Sequence, residues 1–165
     1  MKYHIEQMRL NNLRRISMKL LITSDVHGNN LALEEVINQH KDVDYHINAG
    51  DMCLDPKIWE NYHIIAVKGN NDFGSDLPYI RILDLDGIRI LLTHGHIEHV
   101  KFGLDRLKLK AKVNDAQIVI FGHTHERYMM VDEDILFINP GALGDYHQSY
   151  AIYENKQVTF YKRAQ

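Results

Sequence analysis

From Met18 onward, short apolar runs alternate with stretches whose apolar residues recur at helical spacing. Leu20–Thr23 reads as a buried strand, and Leu33, Val36, Ile37 and His40 then follow at i, i+3, i+4 and i+7, the spacing of one helix face. Strands are predicted near Tyr45–Ala49 and Ile64–Val67, with a short helix over Pro56–Tyr62 between them. That βαβαβ order predicts parallel strands joined by crossover helices.

After Pro78 the pattern changes. Ile80–Leu85 and Ile88–Thr93 flank Asp86-Gly87, and Asp-Gly between two apolar runs is a strong hairpin signal. Val100, Leu104, Leu107 and Ala111 predict the apolar face of one helix, followed by a buried strand at Ile118–Phe121. The remainder reads as strands alone: Tyr128–Val131, Ile135–Ile138, Tyr150–Tyr153 and Val158–Tyr161, with Asn155-Lys156 turning the last hairpin. No internal repeat or linker interrupts this pattern. It predicts one α/β domain with a mixed sheet or two packed sheets.

Residues 1–17 break with it. Lys2, Arg9, Arg14 and Arg15 stand against a single acid, Glu6, before Met18 opens the first strand. This segment is expected to be an extension outside the domain of residues 18–165. An alternative is a short amphipathic helix, with Ile5, Met8, Leu13 and Ile16 on one side, docking on a second subunit of a homo-oligomer.

Composition excludes several classes. The formal charge is −3, so no basic footprint points to a nucleic-acid duplex. No apolar run approaches the ~20 residues of a membrane-spanning helix, and no secretory leader is visible, so a cytoplasmic location is expected. One cysteine, Cys53, excludes an internal disulfide framework and is read as a packing residue. Eleven histidines change the picture, because His94 pairs with His96 and His123 with His125. Imidazole is the commonest metal ligand among side chains.

The chemically interesting residues fall where predicted strands end, the usual place for ligand sites in α/β sheets. The exits read Ser24-Asp25-Val26-His27-Gly28-Asn29, then Ala49-Gly50-Asp51, Gly69-Asn70-Asn71-Asp72, Thr93-His94-Gly95-His96 and Gly122-His123-Thr124-His125. Each alone has an ordinary explanation as turn or helix-cap chemistry. Together they place Asp, His or Asn beside glycine at five successive exits, and turn chemistry does not account for four histidines at the last two. Buried imidazoles without partners would each carry a desolvation cost. A shared cation cluster accounts for all of them.

The ordered set Asp-x-His, Gly-Asp, Gly-Asn-x-Asp, Gly-His, Gly-His-x-His resembles the calcineurin-like metallophosphoesterase superfamily. Within it, the chain is similar to the small single-domain bacterial and archaeal phosphodiesterases, the group to which the retromer subunit Vps29 is related. The resemblance implies a four-layer α/β sandwich of two mixed β-sheets flanked by helices. It also implies two divalent metal ions, Mn²⁺ first, with Fe²⁺, Ni²⁺ or Zn²⁺ compatible with the same ligands. Asp25, His27 and His125 would hold one ion, Asn70, His94 and His123 the other, and Asp51 would bridge both. A water ionised between the two ions would cleave phosphodiester bonds in a small-molecule phosphate ester. The alternatives are a phosphomonoesterase on the same site and a catalytically silent Vps29-like scaffold, the latter expected to lack ligands that this chain keeps. His96 matches a position near the substrate, either touching phosphate or hydrogen-bonding a ligand. Asn71 stands where larger relatives carry a histidine that assists the leaving group, so general-acid help from that position is not expected.

Overall fold

The computed structural model describes residues 18–163, so the expectations for residues 1–17 lie outside the described residues. Ten strands form two mixed five-stranded sheets. In the first, β1 (Leu20–Thr23), β2 (Tyr45–Asn48) and β3 (Ile65–Ala66) run parallel, while β9 (Ser149–Glu154) and β10 (Gln157–Lys162) add antiparallel beyond β1. In the second, β5 (Ile88–Thr93), β6 (Ile118–Ile120) and β8 (Ile135–Pro140) run parallel, with β4 (Ile80–Leu85) antiparallel to β5 and β7 (Arg127–Asp132) antiparallel to β8.

The alternation of each strand explains the layers. Leu20 and Ile22 of β1 join Ile47, Ile90, Leu92, Ile118, Ile120 and Ile138 in a core between the sheets. The odd-numbered Leu21 turns to the other face, against Ala32, Leu33 and Val36 of α1 (Asn30–Gln39). On the far side of the second sheet, Leu91, Val119 and Phe137 pack on Leu107 and Ala111 of α3 (Asp105–Val113). Each such fully buried aliphatic side chain contributes about 1.5–3 kcal/mol relative to exposure. The order helix, sheet, sheet, helix is the sandwich that the sequence motifs implied. Among the described residues no helix is long and apolar enough to cross a membrane.

Turn chemistry fixes register. Asp86-Gly87, Glu133-Asp134 and Asn155-Lys156 all have positive φ at both positions, as two-residue turns between right-twisted strands require. The helix α2 (Pro56–Asn61) starts as Pro and Asp dictate: Asp55 accepts a hydrogen bond from Lys57 N at 2.9 Å, and proline occupies the first turn, where its missing N–H costs nothing.

Two expectations are corrected. Val100 and Leu104 do not share a helix with Leu107 and Ala111. Val100–Phe102 forms a separate 3₁₀ turn, and Gly103 at φ 133° breaks the chain before α3 begins at Asp105. Val100, Leu107 and Ala111 nevertheless bury in the same core, which is why the spacing looked continuous. His40 is the residue after α1 rather than part of its apolar face, and its Nε2 meets the Tyr150 hydroxyl at 2.9 Å.

Candidate metal centre

The carboxyl ends of β1, β2 and β3 in one sheet and β5 and β6 in the other converge on one spot. Backbone hydrogen bonds join the first of these exits to the second and the fourth to the fifth, and the Asp72 and Asp51 carboxylates tie in the third. Asp25 N and His27 N donate to the carbonyls of Gly50 and Asp51, and Gly122 N donates to His94 O, each at 3.0 Å. A sixth exit, after β8, closes the ring: Leu143 N donates to Ser24 O and Gly144 N to Asp25 O at 2.8 Å.

Five residues of the site adopt the left-handed backbone region. Asp25, His27, Asp51, His123 and His125 all have φ between 48° and 70°. Non-glycine residues in that region each carry a cost of order 1–3 kcal/mol, which the surrounding hydrogen bonds must offset. Glycine is obligatory at two close approaches. A Cβ on Gly69 would lie 2.0 Å from Asp51 Oδ1, and one on Gly122 would lie 1.9 Å from Ser24 Oγ.

Asp25 is completely buried at the centre. Its Oδ2 accepts hydrogen bonds from Ser24 Oγ at 2.5 Å and His123 N at 3.1 Å. Its Oδ1 makes no hydrogen bond, yet it faces three imidazole nitrogens: His125 Nε2 at 3.1 Å, His27 Nε2 at 3.6 Å and His94 Nε2 at 3.9 Å. His27 Nε2 and His125 Nε2 point at each other across 3.2 Å. His94 Nδ1–H donates to Ala49 O at 2.7 Å, which turns Nε2 toward Asn70 Oδ1 at 3.1 Å and Asp51 Oδ2 at 3.4 Å. Nitrogen and oxygen lone pairs thus converge on shared points, as ligand atoms do around a cation, and a ligating histidine commonly donates its other N–H to a carbonyl in this way.

Two groups of donors, Asp25 with His27 and His125, and Asp25 with Asp51 and His94, each lie within bonding reach of one ion. Asp51 Oδ2 faces a member of each, His94 at 3.4 Å and His27 at 4.0 Å. The structure therefore brings Asp25, His27, Asp51, Asn70, His94 and His125 together through side-chain atoms. His123 joins through its ring, whose centroid lies 5.0 Å from that of His94. His96 stands just outside, 6.1 Å from His123 centroid to centroid, with a buried Nδ1 that has no hydrogen-bond partner. Asn71 is exposed, yet its polar groups are turned to Asp51. Its backbone N and side-chain Nδ2 donate to the two oxygens of Asp51, both at 2.7 Å.

The charges follow from these contacts. Burial opposes ionisation of Asp25, but His125, His27 and His94 outweigh it and hold the carboxyl well below the usual range. Asp51 is likewise pulled down to about 2 by His94 and Asn71 against the effect of burial. Asp25 raises the pKa of His27 and His125, and Asp51 and Asp25 raise that of His94 despite its burial. Burial and the neighbouring His94 push His123 the other way, to about 4, so it is a neutral imidazole at pH 7.

Three contributors escaped sequence reasoning. Asp72, which reads as turn chemistry, is buried and accepts hydrogen bonds from the backbone N–H groups of Asp51, Gly69 and Cys53, each at 2.8 Å. Ser24 anchors Asp25. Asp145, from the β8–β9 loop, lies 3.5 Å from His125 Nδ1. Cys53, read as a small apolar packing residue, is exposed.

A two-sheet sandwich with acids and imidazoles gathered at its parallel strand ends defines the class: a protein with the donor groups of a metal centre at its sheet ends. Comparison with known proteins makes the class specific. Residues 18–157 match the calcineurin-like phosphoesterase superfamily domain. A Bacillus subtilis protein named "Probable metallophosphoesterase YsnB" is 34% identical over 127 residues, covering 76% of this chain and 75% of its own. A phosphodiesterase of Methanocaldococcus jannaschii is 32% identical over 149 residues, covering 78% and 86%. The crystal structure of a conserved Streptococcus pneumoniae protein, described as a predicted phosphoesterase, superposes with a TM-score of 0.81 at 31% identity and covers 88% of this chain and 90% of that one. The chain belongs to the calcineurin-like phosphoesterase superfamily, and is a phosphoesterase of its small single-domain phosphodiesterase group.

Proposed function

We propose that the protein hydrolyses phosphodiester bonds at a centre of two divalent metal ions. One observation carries this reading: Asp25 Oδ1, buried without a hydrogen bond, amid the nitrogens of His27, His94 and His125. A lone buried carboxylate oxygen is costly unless a cation or donor satisfies it. The residues present fit that need. The diester preference draws on the archaeal relative, which carries the name phosphodiesterase.

In the proposed assignment Asp25, His27 and His125 hold one ion, Asn70, His94 and His123 the second, and Asp51 serves both. The position of Asp51 Oδ2 between His94 and His27 supports the bridging role. Two cations roughly 3.5–4 Å apart need an anion between them, which a carboxylate supplies. When bound, such ions lend Lewis acidity, favouring hydroxide over water at neutral pH and neutralising phosphoryl charge. The set of imidazole, carboxylate and amide donors, with no thiolate, suits Mn²⁺ and is compatible with Fe²⁺, Ni²⁺ or Zn²⁺.

The chain's own residues do the rest. Asn71 fixes both oxygens of Asp51. Ala49 O fixes the His94 tautomer so that Nε2 presents a lone pair. Asp72 holds the Asp51 and Gly69 loops in place. His96, neutral because burial and His94 lower its pKa, is available as a hydrogen-bonding group at the rim.

The test is a panel of phosphate diesters and monoesters assayed with each divalent metal. Diesters are expected to turn over faster, with Mn²⁺ most activating. Faster turnover of monoesters would overturn the diester reading, and no activity with any metal would leave the Vps29-like scaffold.

A further inference from the structure

The segments directly after two proposed ligands border a cavity. Met52, Cys53 and Leu54 follow Asp51, and Asn71, Asp72 and Phe73 follow Asn70. Together with Trp59 of α2 and Leu77 they line a cavity of about 380 Å³ beside the centre. Its wall is continuous with the site, since Asn71 belongs to both and lies 2.7 Å from Asp51. The volume falls within the ordinary range of small-molecule pockets, which are mostly apolar with a few polar groups.

The lining has a chemical bias. Met52, Leu54, Trp59, Phe73 and Leu77 supply apolar surface. The one charged lining residue, Asp72, has its carboxylate occupied by three backbone N–H groups. No lysine or arginine lines the wall. Phe73 is 87% exposed, which is a large aromatic surface left in water at the wall of this cavity. Such a ring gains by covering, or being covered by, another planar apolar group.

We propose that this cavity binds one organic substituent of the phosphate ester and selects for an uncharged aromatic ring there. The inference rests on the phosphodiesterase reading above and names the substrate class of that site. Hydrolysis forms a bond from phosphorus to a water oxygen and breaks one to an ester oxygen, and the proton lost by the water ends on the departed alcohol. A ring seated between Trp59 and Phe73 holds the phosphorus beside Asp51 during that exchange.

The protein carries a single tryptophan, Trp59, so its emission reports on this cavity alone. In metal-free protein, the uncharged 4-nitroanisole is expected to quench that emission saturably, and Phe73→Ala should weaken the binding while Phe73→Tyr restores it. Phe73 is exposed, so its loss leaves no core void. Linear, unsaturable quenching would overturn the proposal. The second measurement compares a symmetric diaryl diester with a symmetric bis(polyfluoroalkyl) diester of similar leaving-group basicity, both assayed with Mn²⁺. Phe73→Ala should reduce the kcat/KM preference for the aryl ester roughly tenfold, the lower end of what one apolar contact discriminates. An unchanged preference would overturn the ring pocket, whereas saturable quenching with no hydrolysis of either ester would sustain the pocket and sink the phosphodiesterase reading.

Discussion

The carboxylate of Asp72 lies beneath the backbone of Asp51, with Oδ2 accepting the Asp51 N–H at 2.8 Å. The same oxygen takes Gly69 N–H, and Oδ1 takes Cys53 N–H. Asp51 sits at φ 54°, so its strained conformation depends on such anchors. An amide at position 72 keeps one acceptor oxygen and sets an NH₂ against a backbone donor. Asp72→Asn should therefore lower stability by about 1–3 kcal/mol, the cost of leaving a buried donor unsatisfied. Asp51→Asn should instead keep the fold and lose most turnover, since the new amide oxygen can accept from Asn71 N–H while the Asn71 side-chain amide turns its own oxygen toward the new NH₂. Urea unfolding of both variants beside kcat separates the two roles. An Asp72→Asn midpoint equal to wild type would show that the three hydrogen bonds do not hold this loop.

Metal stoichiometry tests the centre as a whole. The two donor groups share Asp25, and Asp51 faces both. Elemental analysis after Mn²⁺ loading is expected to approach two ions per chain. Asp25→Ala should abolish high-affinity binding of the ion it holds with His27 and His125, whereas Asp51→Ala should weaken binding at both positions. A ratio that stays at one under saturating metal would sink the two-ion mechanism.

The strands and the five polar exits were legible because both are local. Alternation marks β1, and Asp86-Gly87 marks a turn, whatever the rest of the chain does. Asp72 was not legible, because its partners are backbone groups as far as 21 residues away, and backbone N–H carries no sequence signature. Asp145 was hidden for a related reason. It reaches His125 only because Leu143 and Gly144 pair with Ser24 and Asp25 across the two sheets, a long-range contact. The break at Gly103 was masked by Val100 and Leu107 sharing a core from separate segments.

Metal removal should expose a pH dependence of stability with a definite sign. His27 and His125 are raised by Asp25, and His94 is raised by Asp51 and Asp25 in spite of burial. Their folded pKa values exceed the unfolded value of about 6.5. The stability they contribute is complete below about pH 6.5 and is lost as pH rises through the folded values. His123, pushed down by burial to about 4, costs stability only as pH falls below about 6.5, so it leaves the upper window flat. The metal-free Tm should therefore fall as pH rises above about 6.5. Metal binding displaces the same protons, so the gap in Tm between loaded and metal-free protein should widen over that window. Calorimetric scans of both forms across that range provide the check, and a constant gap would mean these imidazoles do not carry exchangeable protons.

Asn71 should make catalysis depend on the leaving group. Its amide donates to Asp51 at 2.7 Å and has no proton to give near neutral pH. Without an acid at this position, the departing oxygen must leave with its charge only partly neutralised. Rates should fall steeply as the leaving alcohol becomes more basic, and activated aryl esters should be the best artificial substrates. Asn71→His introduces an imidazole that can donate a proton, and a well-placed acid contributes about 10²–10⁴-fold. The gain should be smaller here, because the substitution also removes the Nδ2 bond that holds Asp51. The measurement is log kcat against leaving-group pKa for both proteins with a matched diester series, after confirming that chemistry limits turnover. Asn71→His should flatten the slope and help basic leaving groups most. A wild-type slope that is already flat would mean that another residue donates the proton. His96 is then the first to replace, because its buried Nδ1 has no hydrogen-bond partner and its ring stands next to His94 and His123.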